Sequence, residues 1–230
     1  MNHGSPPPPL LLGIIIIFLV IFLFRKSGKY EPEEIRRRKL AALAQKLQLQ
    51  FNPKNDFKLA ERFLFLTWLK RGDVPDVRYA YNVFHGPHLG YPVTLFDYHF
   101  STSGGKSGLD YYWSAFVLEM ETYFPDLMIL HESRESRLAE TIGESHITFE
   151  SAEFSHIFRV RSSDKKFAYD VCHPRMMEYL LANKDLTIEI RGRAAAVLFE
   201  DWLHPERVES NLSRLIEIRK LLPQYLFTKT

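Results

Sequence analysis

The side chains best suited to catalysis lie on two neighbouring predicted strands, and they are Asp97, His99 and Ser114. A carboxylate, an imidazole and a hydroxyl are the groups of a hydrolase triad. Asp97 and His99 fall on one face of their strand, because side chains alternate along a strand. Ser114 lacks the strained Gly-x-Ser-x-Gly turn that presents a serine nucleophile. We therefore expect a strand face with scattered polar groups, and a hydrolase-like site around Asp97 and His99 is the alternative.

Histidine and cysteine offer two further kinds of chemistry. His85 and His88 have a spacing that a metal ion could use, but they flank a Gly-Pro turn that does not align the two rings. Cys172 is the one cysteine, which excludes an internal disulfide and a CxxC pair. It precedes a predicted helix, where a thiol pKa can fall, although a small buried hydrophobe is the simpler interpretation. We predict no metal and no cofactor.

The glycine-rich stretch STSGGKSG, residues 101–108, resembles the end of a phosphate-binding loop. A Walker A loop requires glycine where Phe100 stands, and its phosphates lie at a helix N-terminus. This stretch joins two predicted strands instead, so we predict a hairpin tip and no nucleotide. Nucleic-acid binding is not expected either, because the chain beyond residue 50 is slightly acidic and has no recognisable reader motif.

An uninterrupted apolar run of 15 residues, Leu10–Phe24, follows the proline-rich start of the chain. As a helix it would extend about 22 Å, against a hydrocarbon core of about 30 Å. Its flanks carry neither the basic start nor the small-residue cleavage site of a signal peptide. We predict a retained single span over residues 10–26, preceded by a Pro-rich tail over residues 1–9. Local bilayer thinning and snorkelling of Arg25 and Lys26 would absorb the mismatch.

Basic residues concentrate directly after this run: eight lie between residues 25 and 50, against three acids. The positive-inside rule places such a flank in the cytoplasm. The cluster at its centre could also dock on anionic lipid, each charge adding about 1 kcal/mol. The members of this cluster are Arg36, Arg37, Arg38 and Lys39. Fixing the membrane topology is the simpler interpretation of the same charges.

Residues 27–72 carry helical patterns and are predicted to form a juxtamembrane helical region with a basic helix. Residues 73–230 are predicted to form an α+β domain. Two runs of alternating apolar residues flank the turn GPHLG and predict a β-hairpin. His173-Pro174 and His204-Pro205 predict helix starts, and the second begins an amphipathic C-terminal helix.

Further strands are predicted for four segments, DYYWSAFVLEM, LMILH, HITFE and FAYDVC, and for a last pair that turns at Gly192. The connections between strands are mostly too short for parallel crossovers. The fold class is therefore α+β, with a transmembrane helix, a basic helix and a mainly antiparallel sheet with short helices.

Two stretches resemble a family of bacterial single-pass membrane proteins: FESAEFSHIFRVRSSDKKFAYDVCHPRMMEYLL, from Phe149 to Leu181, and the motif YNVFHG…FDYHF between Tyr81 and Phe100. The family pattern has an N-terminal span, a basic helix and a cytoplasmic α+β domain. The resemblance covers most of the body, from about Leu47 to Leu222. It implies a place in the bacterial inner membrane, and it implies no activity because the family has no assigned catalytic residues.

These observations favour a non-catalytic interaction module, anchored in the membrane and working in the cytoplasm. Its expected partners are the lipid bilayer and another protein. Two alternatives belong to other classes. One is a membrane-tethered hydrolase-like enzyme, and the other is a module that senses a lipid or a small ligand, which would need an apolar cavity in the sheet.

Overall fold

The computed structural model of the protein describes residues 32–70, 77–102, 109–133 and 146–228. The elements, in chain order, are α1 (Glu33–Lys46), β1 (Gln50–Asn52), α2 (Phe57–Arg62), a 3₁₀ turn (Trp68–Lys70), β2 (Val77–His88), β3 (Tyr91–Thr102), β4 (Leu109–His131), α3 (Ala152–Ile157), β5 (Phe158–Ser162), α4 (Lys165–Val171), α5 (Pro174–Ala182), β6 (Thr187–Phe199), α6 (Pro205–Leu221) and a last 3₁₀ turn (Gln224–Phe227). The chain divides into two compact units, Met1–Lys39 and Leu40–Thr230.

The predicted tail and the predicted span, residues 1–9 and 10–26, lie outside the described residues. Within the described ranges, every helix is too short or too polar to cross a membrane. The fold class is thus confirmed as α+β with a mostly antiparallel sheet and short helices. The transmembrane helix stays a prediction from the sequence.

The six described strands form one antiparallel sheet, in which β1 to β4 pair in chain order and β5 and β6 both pair with β4. β2 and β3 form the predicted hairpin. Its turn residues, Leu89 and Gly90, have φ values of 49° and 84°, as a type I′ turn requires. β3 and β4 form a second hairpin with Thr102 opposite Leu109. The glycine-rich stretch therefore joins two paired strands as predicted, although residues 103–108 lie outside the described ranges.

Hydrophobic side chains cover both faces of the sheet. One face packs against α3, α4, α5 and α6 through residues such as Phe154, Leu180 and Leu212. The other face packs against α2 and the first 3₁₀ turn, through Phe63 and Trp68. Burial of apolar surface is the dominant favourable term in folding, and here it occurs on both faces of the sheet.

Local signals in the sequence account for most helix starts. Asp56, Ser151 and Asp164 each accept a hydrogen bond from the amide three residues further on, at 2.8, 3.3 and 3.1 Å, which satisfies a donor that the helix leaves open. Pro174 and Pro205 occupy first helical positions after a histidine, as predicted.

Two predicted strand breaks were wrong. The segments DYYWSAFVLEM and LMILH belong to one strand of 23 residues, β4. Gly192, predicted as a turn, lies within β6 with φ at 58°. Both strands continue because β4 and β6 pair with each other on both sides of an irregular stretch, and no local signal reveals a partner so distant in sequence.

Two further predicted strands were also wrong. FAYDVC forms α4, in which Phe167, Ala168 and Val171 are buried on one helical face. That spacing is helical, whereas Phe167, Tyr169 and Val171 also alternate as in a strand, so the short segment was ambiguous. HITFE is not assigned to a strand, although the amide of Ile147 donates to the carbonyl oxygen of Val160 at 2.7 Å.

Candidate functional site

Asp97 and His99, the candidate residues of the hydrolase alternative, connect neighbouring strands of the sheet. Asp97 is fully buried, and its two carboxylate oxygens accept from the amide of Leu203 at 2.5 Å and from Nδ2 of Asn82 at 2.8 Å. His99 is 7% exposed, and its Nε2 lies 3.0 Å from Oδ1 of Asp110. These contacts tie β3 to β2, to β4 and to the segment before α6.

Ser114 is the register partner of Asp97 on β4. It lines a cavity of about 450 Å³ that Asp97 and His99 do not line. The same cavity contains His204, whose Nε2 lies 2.8 Å from Oδ2 of Asp201 and whose Nδ1 lies 3.6 Å from Oε1 of Glu206. Both ring nitrogens of His204 therefore lie beside carboxylate oxygens.

The residues proposed for metal chemistry are dispersed. Nδ1 of His85 lies 3.0 Å from Oγ1 of Thr94, and His88 stands at the hairpin turn opposite Tyr91. The described part of the chain contains no cluster of three or more His, Cys, Asp or Glu side chains that could hold a metal. Cys172 is buried, and burial raises the pKa of its thiol well above the usual range.

The basic cluster belongs to α1, and part of its charge is compensated within the helix. Nη2 of Arg37 lies 2.8 Å from Glu33, and Nε of Arg38 lies 3.1 Å from Glu34, each one turn earlier. Arg36 is 7% exposed, whereas Lys39 is exposed. Arg38 and Lys39 are the exposed members, while the burial of Arg36 limits its contact with anionic groups, and lipid docking stays a prediction.

A cleft with a volume of about 720 Å³ lies where β4 leaves the regular sheet. We call it the β4 cleft. Pairing between β3 and β4 ends at Leu118, and pairing between β5 and β4 begins at Leu127. Residues 120–123 of β4 lie opposite the single residue Arg193 of β6. This wide bulge opens the sheet and forms one wall of the cleft.

Two sequence features accompany the bulge. Pro125 follows it, and proline cannot donate to a ladder of strand hydrogen bonds. Gly192 lies opposite Phe124 in the left-handed region, where glycine has no steric penalty. The ring of Tyr123, itself 77% exposed, covers Gly192 at the rim.

Four arginines and four aromatic residues line the β4 cleft: Arg62, Arg191, Arg193, Arg219, Phe63, Phe65, Tyr91 and Tyr123. Arg62 is paired with Glu119 at 2.5 Å. Arg191 is paired with Asp126 at 3.1 Å. Arg193 donates through Nε to the carbonyl oxygen of Met120 at 3.1 Å, and within the described residues it has no carboxylate partner.

Arg219 is the most deeply placed cation of the cleft. It is 8% exposed, and its guanidinium carbon lies 3.6 Å from the ring centroid of Phe227 and 5.6 Å from that of Tyr91. Its ion-pair partner is Glu121 at 3.6 Å, on a side chain that is 80% exposed. The guanidinium makes no hydrogen bond to the described part of the chain. A buried guanidinium with five donors and one loose partner favours the binding of an anion.

No protein-family model matches the chain, and no curated protein matches its sequence. One solved structure with a similar fold is the mycobacterial trehalose monomycolate transport factor A, TtfA. The fold resembles that of TtfA. The TM-score is 0.56 at 12% sequence identity, and the match covers 81% of this chain and 96% of the TtfA chain. At this identity the likeness to TtfA concerns the α+β fold alone, and no family assignment follows from it.

Sequence reasoning did not find the β4 cleft. The two available signals were a glycine between two arginines in an apolar strand, at Gly192, and the proline within a strand pattern at Pro125. Neither signal indicates that Arg219, from a helix near the C-terminus, lines the same cleft.

Proposed function

We propose that this protein is a membrane-associated, non-catalytic interaction module whose recognition site is the β4 cleft. The observation that carries the proposal is the lining of the cleft. Arginines and aromatic side chains surround a volume of about 720 Å³, within the range of small-molecule sites. These residue types are also the ones enriched where proteins bind partners.

Membrane association is supported by the sequence. The apolar run Leu10–Phe24 and the basic flank behind it match a single span with the C-terminal domain on the cytoplasmic side. In the proposal this is the bacterial inner membrane. The similar fold of TtfA, named a transport factor for trehalose monomycolate, is compatible with an accessory role in handling a partner or a cargo.

The non-catalytic part of the proposal is supported by the contacts of Asp97 and His99. Both carboxylate oxygens of Asp97 accept hydrogen bonds from buried donors, and the imidazole of His99 is stacked 4.7 Å from the ring of Tyr79. Groups held in this way stabilise the fold, whereas a nucleophile and its base must be free to exchange a proton.

The proposal is tested in cells by fractionation and site-directed crosslinking. A photoreactive p-benzoylphenylalanine replaces Tyr123 at the rim of the cleft or, as the matched control, Tyr169, which is 51% exposed on α4. We expect the full chain in the membrane pellet and a truncation that starts at Tyr30 in the soluble fraction. We also expect an adduct from position 123 and none from position 169.

Each part of the proposal can fail separately. A full chain that remains soluble would overturn the membrane association. Equal adducts from positions 123 and 169, or none from either, would overturn the cleft as the recognition site. The mass of the adduct tells a protein partner from a lipid-sized ligand.

A further inference from the structure

The charges of the β4 cleft do not cancel. Arg62 and Arg191 are matched by Glu119 and Asp126. Of the other two, Arg219 lies 3.6 Å from Glu121, whose side chain is 80% exposed, and Arg193 has no carboxylate partner within the described residues. One positive charge therefore remains uncompensated on the wall of the cleft.

The surroundings of Arg219 determine which kind of anion the cleft can bind. Its guanidinium carbon lies 3.6 Å from the ring centroid of Phe227, and its N–H donors make no hydrogen bond to the described part of the chain. A guanidinium presents paired donors in a fixed fork that matches the two oxygens of a carboxylate.

Apolar groups occupy the rest of the lining. Phe63, Phe65, Tyr91, Pro92 and Met120 contribute aromatic and aliphatic surface beside the arginines. Phe63 also belongs to the core beneath α2, and Phe65 is 40% exposed, so the apolar lining of the cleft adjoins the core of the domain. A ligand that is charged at one end and apolar along its length complements both parts.

We propose that the β4 cleft binds a single-chain anionic amphiphile of the fatty-acid class, with its carboxylate on Arg219 and Arg193 and its alkyl chain against Phe63, Phe65 and Met120. This inference rests on the proposed function, since it names the ligand of the same cleft. One carboxylate balances the one uncompensated charge, whereas a neutral lipid would leave that charge without a partner.

The test uses the full chain in nanodiscs of neutral phosphatidylcholine. A diazirine-bearing dodecanoate is the probe, and a diazirine-bearing dodecanol of the same chain length is the neutral control. Labelled residues are mapped by mass spectrometry. We expect saturable labelling of the cleft by the carboxylate probe, competition by unlabelled dodecanoate, and little labelling of the cleft by the alcohol.

Three variants connect the labelling to the arginines. Arg219→Gln removes the fork, and Arg219→Lys keeps the charge without the fork. Arg193→Gln changes an exposed side chain, so it remains informative if the Arg219 variants do not fold. We expect about a tenfold or greater rise in the half-saturating probe concentration for Arg219→Gln and Arg193→Gln, because a hydrogen-bonded charge is lost. Arg219→Lys should lie between them and the unchanged protein.

The matched control is Arg175→Gln, an exposed arginine on α5 outside the cleft, which should leave the labelling unchanged. Equal labelling by the alcohol, labelling mapped outside the cleft, or unchanged saturation in Arg193→Gln and a folded Arg219→Gln would overturn the inference. Displacement of the probe by inorganic phosphate as well as by dodecanoate would also overturn it, since the site would then bind a free anion. A chain that sediments with membranes but is not labelled refutes the ligand and leaves the membrane association intact.

Discussion

Tyr123 of β4 lies over Gly192 of β6, with its Cε2 3.4 Å from the position that a Cβ on residue 192 would occupy. The contact lies at the bulge of the sheet, where four residues of β4 lie opposite one residue of β6. The β4 cleft therefore depends on a residue that adopts the left-handed conformation at position 192.

The first prediction concerns that conformation. Gly192 has φ at 58°, a region that costs an L-residue about 1–2 kcal/mol. Gly192→Ala should lower the free energy of unfolding by that amount, measured by urea denaturation, because the distance to Tyr123 is itself an ordinary contact. Gly192→Asn should cost less, since asparagine visits this region more readily. An equal loss in both variants would point to crowding and contradict the backbone explanation.

The second prediction separates a structural Asp97 from a catalytic one. Asp97→Ala leaves two donors without an acceptor, the amide of Leu203 and the side chain of Asn82. We expect a loss of about 2–4 kcal/mol in the free energy of unfolding. The control Asp110→Ala removes a 59% exposed carboxylate beside His99 and should cost less than about 1 kcal/mol. Equal stabilities of the two variants would contradict the structural role.

The third prediction concerns Glu189, which ties the first 3₁₀ turn to the sheet. It is 2% exposed and accepts from the amides of Thr67 and Trp68 at 2.6 and 3.2 Å. Burial raises the pKa of Glu189, and the two amide hydrogen bonds oppose the rise without cancelling it. The folded protein therefore holds this proton more tightly than the unfolded chain does.

The sign of the pH dependence follows from linkage. The contribution of Glu189 is fully present below the ordinary pKa of glutamate and is lost as the pH rises through the raised pKa. In urea unfolding across that window, the unchanged protein should lose stability with rising pH relative to Glu189→Gln. The exposed Glu178→Gln on α5 serves as the control and should follow the unchanged protein. A stability difference between the protein and Glu189→Gln that does not vary with pH would refute the prediction.

The fourth prediction concerns the only cysteine. Cys172 is 2% exposed, and burial raises the pKa of its thiol, while the thiolate is the reactive form. We expect negligible alkylation by iodoacetamide in the native protein and complete alkylation in urea, measured by mass spectrometry. Rapid native alkylation would restore the redox or nucleophilic role that the helix position of Cys172 suggested.

The parts of the fold that the sequence predicted depend on short-range signals. Pro174 and Pro205 begin helices, and Leu89-Gly90 forms the hairpin turn. Each of these signals acts over at most four residues, through allowed backbone angles or a single hydrogen bond. They were sufficient to predict an α+β domain with a mainly antiparallel sheet.

Prediction from the sequence failed where two distant segments decide the conformation. The stretch ETYFPD is polar and contains a proline, so it indicated a break between strands, yet β4 continues through it. The reason is the pairing with β6 on either side of the bulge, which the apolar pattern of β4 alone does not contain.

The candidate site shows the same division. The residue types were visible in the sequence, including the two arginines around Gly192 and the aromatic residues after α2 and on β3 and β4. The sequence did not show that these residues converge, because the contacts join distant segments. Arg193 donates to the carbonyl oxygen of Met120, 73 residues away, and Asp97 accepts from the amide of Leu203, 106 residues away. The sequence by itself determined the elements and their polarity because those follow from local sterics and hydrophobic periodicity. Only the tertiary structure decided which arginine remains without a full partner, because charge balance depends on neighbours that folding alone brings together.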